Sequence, residues 1–131
     1  MTATPFLMFE GDCEAALALY VATLPNSRIV SLDRHGVAGP GAEGSVAMAR
    51  ALVAGLEIMA NDSFVKHDFS FTPSLSLFVD VESEGDVDRI ADILGEGGKV
   101  MMPAGDYGFS SRFAWVSDRF GVSWQINRPK A

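Results

Sequence analysis

TPFLMFEGDCEAALALYVATLPNSRIVSLDR, residues 4–34, changes its apolar period twice. Residues 4–9 are an extended apolar run, and Gly11-Asp12 breaks it, with Asp12 placed to cap a helix start. In the following EAALALYVATL, Leu17, Tyr20, Val21 and Leu24 fall at i, i+3, i+4 and i+7, the spacing of one helix face. Pro25-Asn26 stops that helix, and SRIVSLDR resumes as a strand.

The same order returns from residue 72. TPSLSLFVDV is again extended, and Val87, Ile90, Ala91 and Leu94 repeat the four-point helical spacing after Glu84-Gly85-Asp86. Gly95 to Gly98 end that helix, and KVMMPAG resumes as a strand. Each copy is followed by a pair of strands: SVAMARALV and LEIMAND joined at Ala54-Gly55, then SSRFAWVSD and GVSWQINRP joined at Arg119-Phe120. Matched offsets in both copies predict a duplicated βαβββ order within one domain, 1–131, with module one at about 1–65 and module two at about 70–129.

Composition narrows the function classes. Apolar residues make up 48% of the 131 and charged residues 21%, which suits a globular chain with a real core. A net charge of −7 disfavours nucleic acid as a partner, because it repels phosphate backbones. The one cysteine, Cys13, excludes an internal disulfide and any multi-cysteine metal site. No apolar stretch approaches the roughly 18 residues of a membrane span, and no signal peptide is recognisable at the N-terminus. A soluble, cytoplasmic protein is expected. The Gly39 to Gly44 run fits G-x-G-x-x-G formally, but a strand rather than a helix follows it, so it reads as a mobile loop and not a dinucleotide site.

With these pieces in place, the chain resembles the vicinal oxygen chelate superfamily of glyoxalase I, bleomycin-resistance proteins and extradiol dioxygenases. Within it, the likeness is to PhnB-like proteins, often labelled 3-demethylubiquinone-9 3-methyltransferase. TPFLMFEGDCEAALALYVATLPNSRI, LEIMAND and WVSDRFGVSWQI carry the resemblance. It implies an α+β fold of two βαβββ modules, forming a curled mixed sheet around a cavity, and a homodimer. Metal-bearing members take ligands from four strand positions, which carry over to Pro5, Glu57, Ser74 and Gln125. Proline has no side-chain donor and a neutral serine hydroxyl is a poor ligand, so no metal and no other cofactor is expected. His35 and His67 are expected as solvated surface residues.

Strand parity and the resemblance together give candidate ligand-binding residues. These are Leu7, Phe9, Met59 and Asn61 in the first module, and Ser74, Ser76, Trp115, Ser123 and Gln125 in the second. Phe78 joins Ser74 and Ser76 on the cavity face, and Trp115, Phe64 and Phe69 could close its edges. In residues 120–129, FGVSWQINRP, Val122, Trp124 and Ile126 would pack against a helix while Ser123, Gln125 and Asn127 face a pocket. Apolar walls with a few fixed polar groups suit a small, partly apolar molecule. Glu57 is the one carboxylate placed near such a cavity and the candidate catalytic base. Cys13 opens the first helix, whose dipole would lower a thiol pKa, and the competing expectation is burial as a small hydrophobe. Two functions follow: a metal-free small-molecule binding protein, or a glyoxalase-type lyase/isomerase or dioxygenase-related enzyme using a metal or Glu57. Methyl transfer, as in the family label, is disfavoured, because no glycine fingerprint lies in a parallel α/β context.

Overall fold

The computed structural model describes all residues, Met1–Ala131. They form two compact units, Met1–Asp68 and Phe69–Ala131. The first contains β1 (Phe6–Phe9), α1 (Cys13–Thr23), β2 (Arg28–Arg34), β3 (Val46–Val53) and β4 (Leu56–Asp62). The second contains β5 (Ser76–Asp80), α2 (Glu84–Gly95), β6 (Lys99–Gly105), β7 (Arg112–Ser117) and β8 (Ser123–Arg128). The expected βαβββ order therefore occurs twice. Each unit is a four-stranded mixed sheet, ordered β1-β4-β3-β2 in the first and β5-β8-β7-β6 in the second. One parallel pair, β1–β4 or β5–β8, stands in each otherwise antiparallel sheet. No helix is long and apolar enough to cross a membrane.

Each helix packs on one face of its own sheet. In α1, Cys13, Ala16, Leu17 and Tyr20 are fully buried, and Val46, Ala49, Ala51, Val53, Ile58 and Ala60 bury the sheet face beneath. In α2 the four spaced apolar residues are all buried. They meet Ala114 and Val116 of β7 and Trp124 and Ile126 of β8. The alternation at the chain's end thus has the anticipated orientation: Trp124 and Ile126 lie on the helix side, and Gln125 and Ser123 on the other.

Helix α2 starts conventionally, with the Ser83 hydroxyl accepting from the Asp86 amide at 3.1 Å. Helix α1 does not. Asp12 makes no side-chain cap, contrary to the sequence expectation. Instead the buried Asp62 carboxylate reaches across from the end of β4. Its Oδ1 accepts from the Gly11 and Cys13 amides at 2.8 and 2.9 Å, and its Oδ2 from the Val46 amide at 3.0 Å. One side chain thereby joins β1's exit, α1's start and β3.

Asp118 does the same for the β7–β8 turn. Oδ1 accepts from the Phe120 and Val122 amides, and Oδ2 from the Trp124 indole N–H at 2.9 Å. The β3–β4 turn places Ala54 at φ 49° and Gly55 at φ 83°, the left-handed conformations of a tight hairpin. Gly98 is required for a different reason: a Cβ there would lie 2.0 Å from the Ser117 carbonyl oxygen.

Candidate functional site

In the first unit, the sheet face away from α1 is set by register. Phe6 pairs with Met59 and Met8 with Asn61 across β1–β4, while Arg50 pairs with Met59 across β3–β4. Side chains of paired residues share a face, so Phe6, Met8, Arg50, Glu57, Met59 and Asn61 line this surface. Met48, two residues from Arg50, joins them.

Leu7 and Phe9 do not. They pair with Ala60 and Asp62, are 6% and 3% exposed, and lie in the core on the α1 side. This corrects the expected ligand-facing parity of β1. The physical reason is that α1 covers the Leu7/Phe9 face, which leaves Phe6 and Met8 to replace them on the open one. Met59 and Asn61 lie on that face as expected. The Asn61 side-chain oxygen is buried with no hydrogen-bond partner. A buried amide oxygen in that state costs about 1–3 kcal/mol.

At the other end of this face, an open depression of about 560 Å³ is lined by Thr4, Pro5, Arg50, Leu56, Glu57 and Met59, among others. Glu57 is more than half exposed and ion-paired with Arg50 at 3.2 Å. Nearby segments close on themselves: the His67 ring lies 3.1 Å from the Ser63 hydroxyl, and the His67 amide donates to Glu10. His35 sits edge-on to Phe64, with ring centroids 6.2 Å apart.

Cys13 is not an activated thiol. Its side chain is fully buried, and burial, with the Asp62 and Glu14 carboxylates beside it, pushes its pKa up to about 12. Desolvation and negative neighbours outweigh the helix dipole. By contrast, Glu14 on the exposed side of the same turn is held below the usual carboxylate range by a two-pronged hydrogen bond from Arg34, at 2.6 and 2.7 Å.

In the second unit, Ser76 pairs with Ser123 and Phe78 with Gln125, while Trp115 faces Gln125 from β7. The Ser76 and Ser123 hydroxyls are 2.7 Å apart, and the Trp115 indole N–H donates to the Ser123 oxygen at 2.8 Å. Ser123 is 1% exposed, so its hydroxyl is committed within the protein and holds Trp115 in place. Ser76, Trp115 and Gln125 are half-buried on the same face. Ser74 falls outside β5, in an exposed turn where its hydroxyl pairs with that of Thr72. Asn127, further along, accepts from Ser110 and donates to Asp80.

Taken one by one, the four positions expected from the resemblance offer little to a cation. The Pro5 carbonyl accepts from the Met59 amide, Glu57 is paired with Arg50, and Ser74 with Thr72. Gln125 contributes only a neutral amide. No three His, Cys, Asp or Glu side chains cluster in the structure.

The duplicated βαβββ architecture is that of the vicinal oxygen chelate fold. The fosfomycin resistance protein FosX from Listeria monocytogenes shares it, with a TM-score of 0.65 at 13% identity over 99% of this chain and 93% of that one. The chain belongs to the family described as 3-demethylubiquinone-9 3-methyltransferase, whose model matches residues 1–127. It is similar to a PhnB protein from Bacillus cereus carrying the same description, at 43% identity and a TM-score of 0.93, covering 98% of this chain and 99% of that one. It is also 29% identical to Protein YjdN of Escherichia coli strain K12, over 97% of this chain and 95% of that protein.

Proposed function

We propose that the chain is a PhnB-like binding protein that holds a small, partly apolar molecule without a resident metal. The observation that carries this reading is the buried, unpartnered Asn61 oxygen beside Met8, Met48 and Met59. Thioether side chains adapt to a ligand's shape, and one fixed acceptor orients it. Ser76, Trp115 and Gln125 form a second polar-aromatic surface of the same character on the other sheet. The set Pro5, Glu57, Ser74 and Gln125 does not suit a divalent ion, so binding rather than Lewis-acid chemistry is the better account.

Glu57 is poorly placed as a general base, since its carboxylate is half exposed and already paired with Arg50. Methyl transfer finds no support in the fold: neither sheet is the open parallel α/β array expected of such transferases. A metabolite panel read by methionine-methyl NMR tests the reading. A ligand should move the Met8, Met48 and Met59 signals, and protein purified without chelator should contain well under one metal per chain. Stoichiometric metal, or ligands that move none of the three methyls, would overturn it.

A further inference from the structure

Arg50 is the one cation on the Asn61 face of the first sheet that points toward an open depression. Its partner Glu57 contacts it through a single 3.2 Å hydrogen bond, with both side chains about half exposed. An exposed ion pair of this kind contributes little, and one such bond leaves most of the five guanidinium donors unused. Leu56 and Met59 are apolar members of the lining beside Arg50, which Thr2, Thr4 and Glu57 share. One alternation along β4 from Met59 lies Asn61, about 7 Å away on the same face. Met59 stands directly across from Arg50, so a guanidinium fork, a thioether and, one alternation on, a buried acceptor share one face.

We propose that this face selects a small organic acid whose carboxylate takes Arg50 and whose far end carries a hydrogen-bond donor for Asn61. Glu57 is then an internal stand-in for the ligand's carboxylate. It occupies Arg50 in the empty protein and swings to solvent when the ligand arrives, so it opposes binding and plays no part as a base. Since the chain carries a net charge of −7, recognition of an anion must come from this local fork rather than from long-range attraction. The proposal rests on the binding reading above and adds the ligand's charge and length.

The test uses ω-hydroxyhexanoate as probe and the corresponding diol as its neutral counterpart, with affinity followed by titration of the methionine-methyl signals. The hydroxy acid should bind more tightly than the diol. Arg50→Gln should weaken the acid by about tenfold or more, the loss of a charge-assisted hydrogen bond, and leave the diol unchanged. Glu57→Gln should have the opposite sign, tightening the acid about two- to fivefold by releasing Arg50. Both substituted residues are half exposed, so unchanged circular dichroism and melting will confirm intact folding. Acid and diol binding equally, with neither variant altering the acid, would overturn the anion assignment and leave the ligand face standing. Weaker acid binding in Glu57→Gln would overturn the stand-in role. Probes that move none of Met8, Met48 and Met59 would overturn both this proposal and the reading beneath it.

Discussion

Replacing Asp118 by alanine should be among the most damaging single changes in the second unit, although the residue is acidic and sits at a turn. The carboxylate is 3% exposed and serves three donors. Asp118→Ala leaves the Val122 amide and the Trp124 indole N–H buried without an acceptor, each costing about 1–3 kcal/mol. The Phe120 amide is only part-buried and can turn to water. The expected loss is about 4 kcal/mol, a large share of the roughly 5–15 kcal/mol that holds a domain together. Urea unfolding followed by far-ultraviolet circular dichroism should show the midpoint falling by about 2 M, for an m-value near 2 kcal/mol/M. Trp124→Phe removes one of the three donors, so its cost should shrink in the Asp118→Ala background, with a coupling of about 1–3 kcal/mol. A loss under about 1 kcal/mol for Asp118→Ala, or strict additivity in the cycle, would refute the argument that this carboxylate pins the turn to the core.

Three further outcomes are expected. Cys13 should resist thiol reagents in the native protein and react only on unfolding. Because its folded pKa of about 12 exceeds the ordinary thiol value of 9.0, the unfolded chain holds fewer protons between those values. Stability should therefore fall as pH rises from about 9 toward 12, and Cys13→Ala should remove that slope. Gln125→Ala should leave the unfolding midpoint nearly unchanged, whereas Trp124→Ala should cost about 3–5 kcal/mol as a large core truncation. Equal damage from the two would mean that the faces of β8 are reversed. Light scattering should find a homodimer, consistent with Ile29 and Val30 standing exposed on edge strand β2; a monomer at working concentration would contradict this.

The parts of the fold legible in the sequence are those with a clean period. In α2, four apolar residues at helical spacing separate themselves from charged neighbours, and all four are buried. In β8, Ser, Trp, Gln and Ile alternate, so the faces could be assigned before any partner strand was known. β1 offers no such contrast: Phe6, Leu7, Met8 and Phe9 are all apolar, and only pairing with β4 decides which of them face α1. That is why strand parity alone gives Leu7 and Phe9 to the open face, which the pairing with β4 leaves to Phe6 and Met8.

Asp62 was invisible for a different reason. An aspartate at a strand end reads as solvated, and the amides that bury Asp62 lie as far as 51 residues away in the chain. Asp118 did leave a local trace, as an aspartate three residues before the turn's Gly121, in the position that favours a side-chain-capped turn. Cys13 shows that a helix start does not by itself make a thiol reactive. Ser123 lies at the expected address but with its hydroxyl already committed, which a one-dimensional pattern cannot show.

The binding account is tested most directly by Asn61→Leu, a change of similar size that removes the unpartnered oxygen. If that oxygen waits for a ligand's donor, the variant should be more stable than the parent in the absence of ligand by about 1–2 kcal/mol, since a buried unsatisfied group has been deleted. The same variant should lose the thermal shift that a panel-identified ligand gives the parent. Higher stability together with lost binding is the predicted result. A variant that is destabilised, or that binds the ligand as well as the parent, would contradict the account.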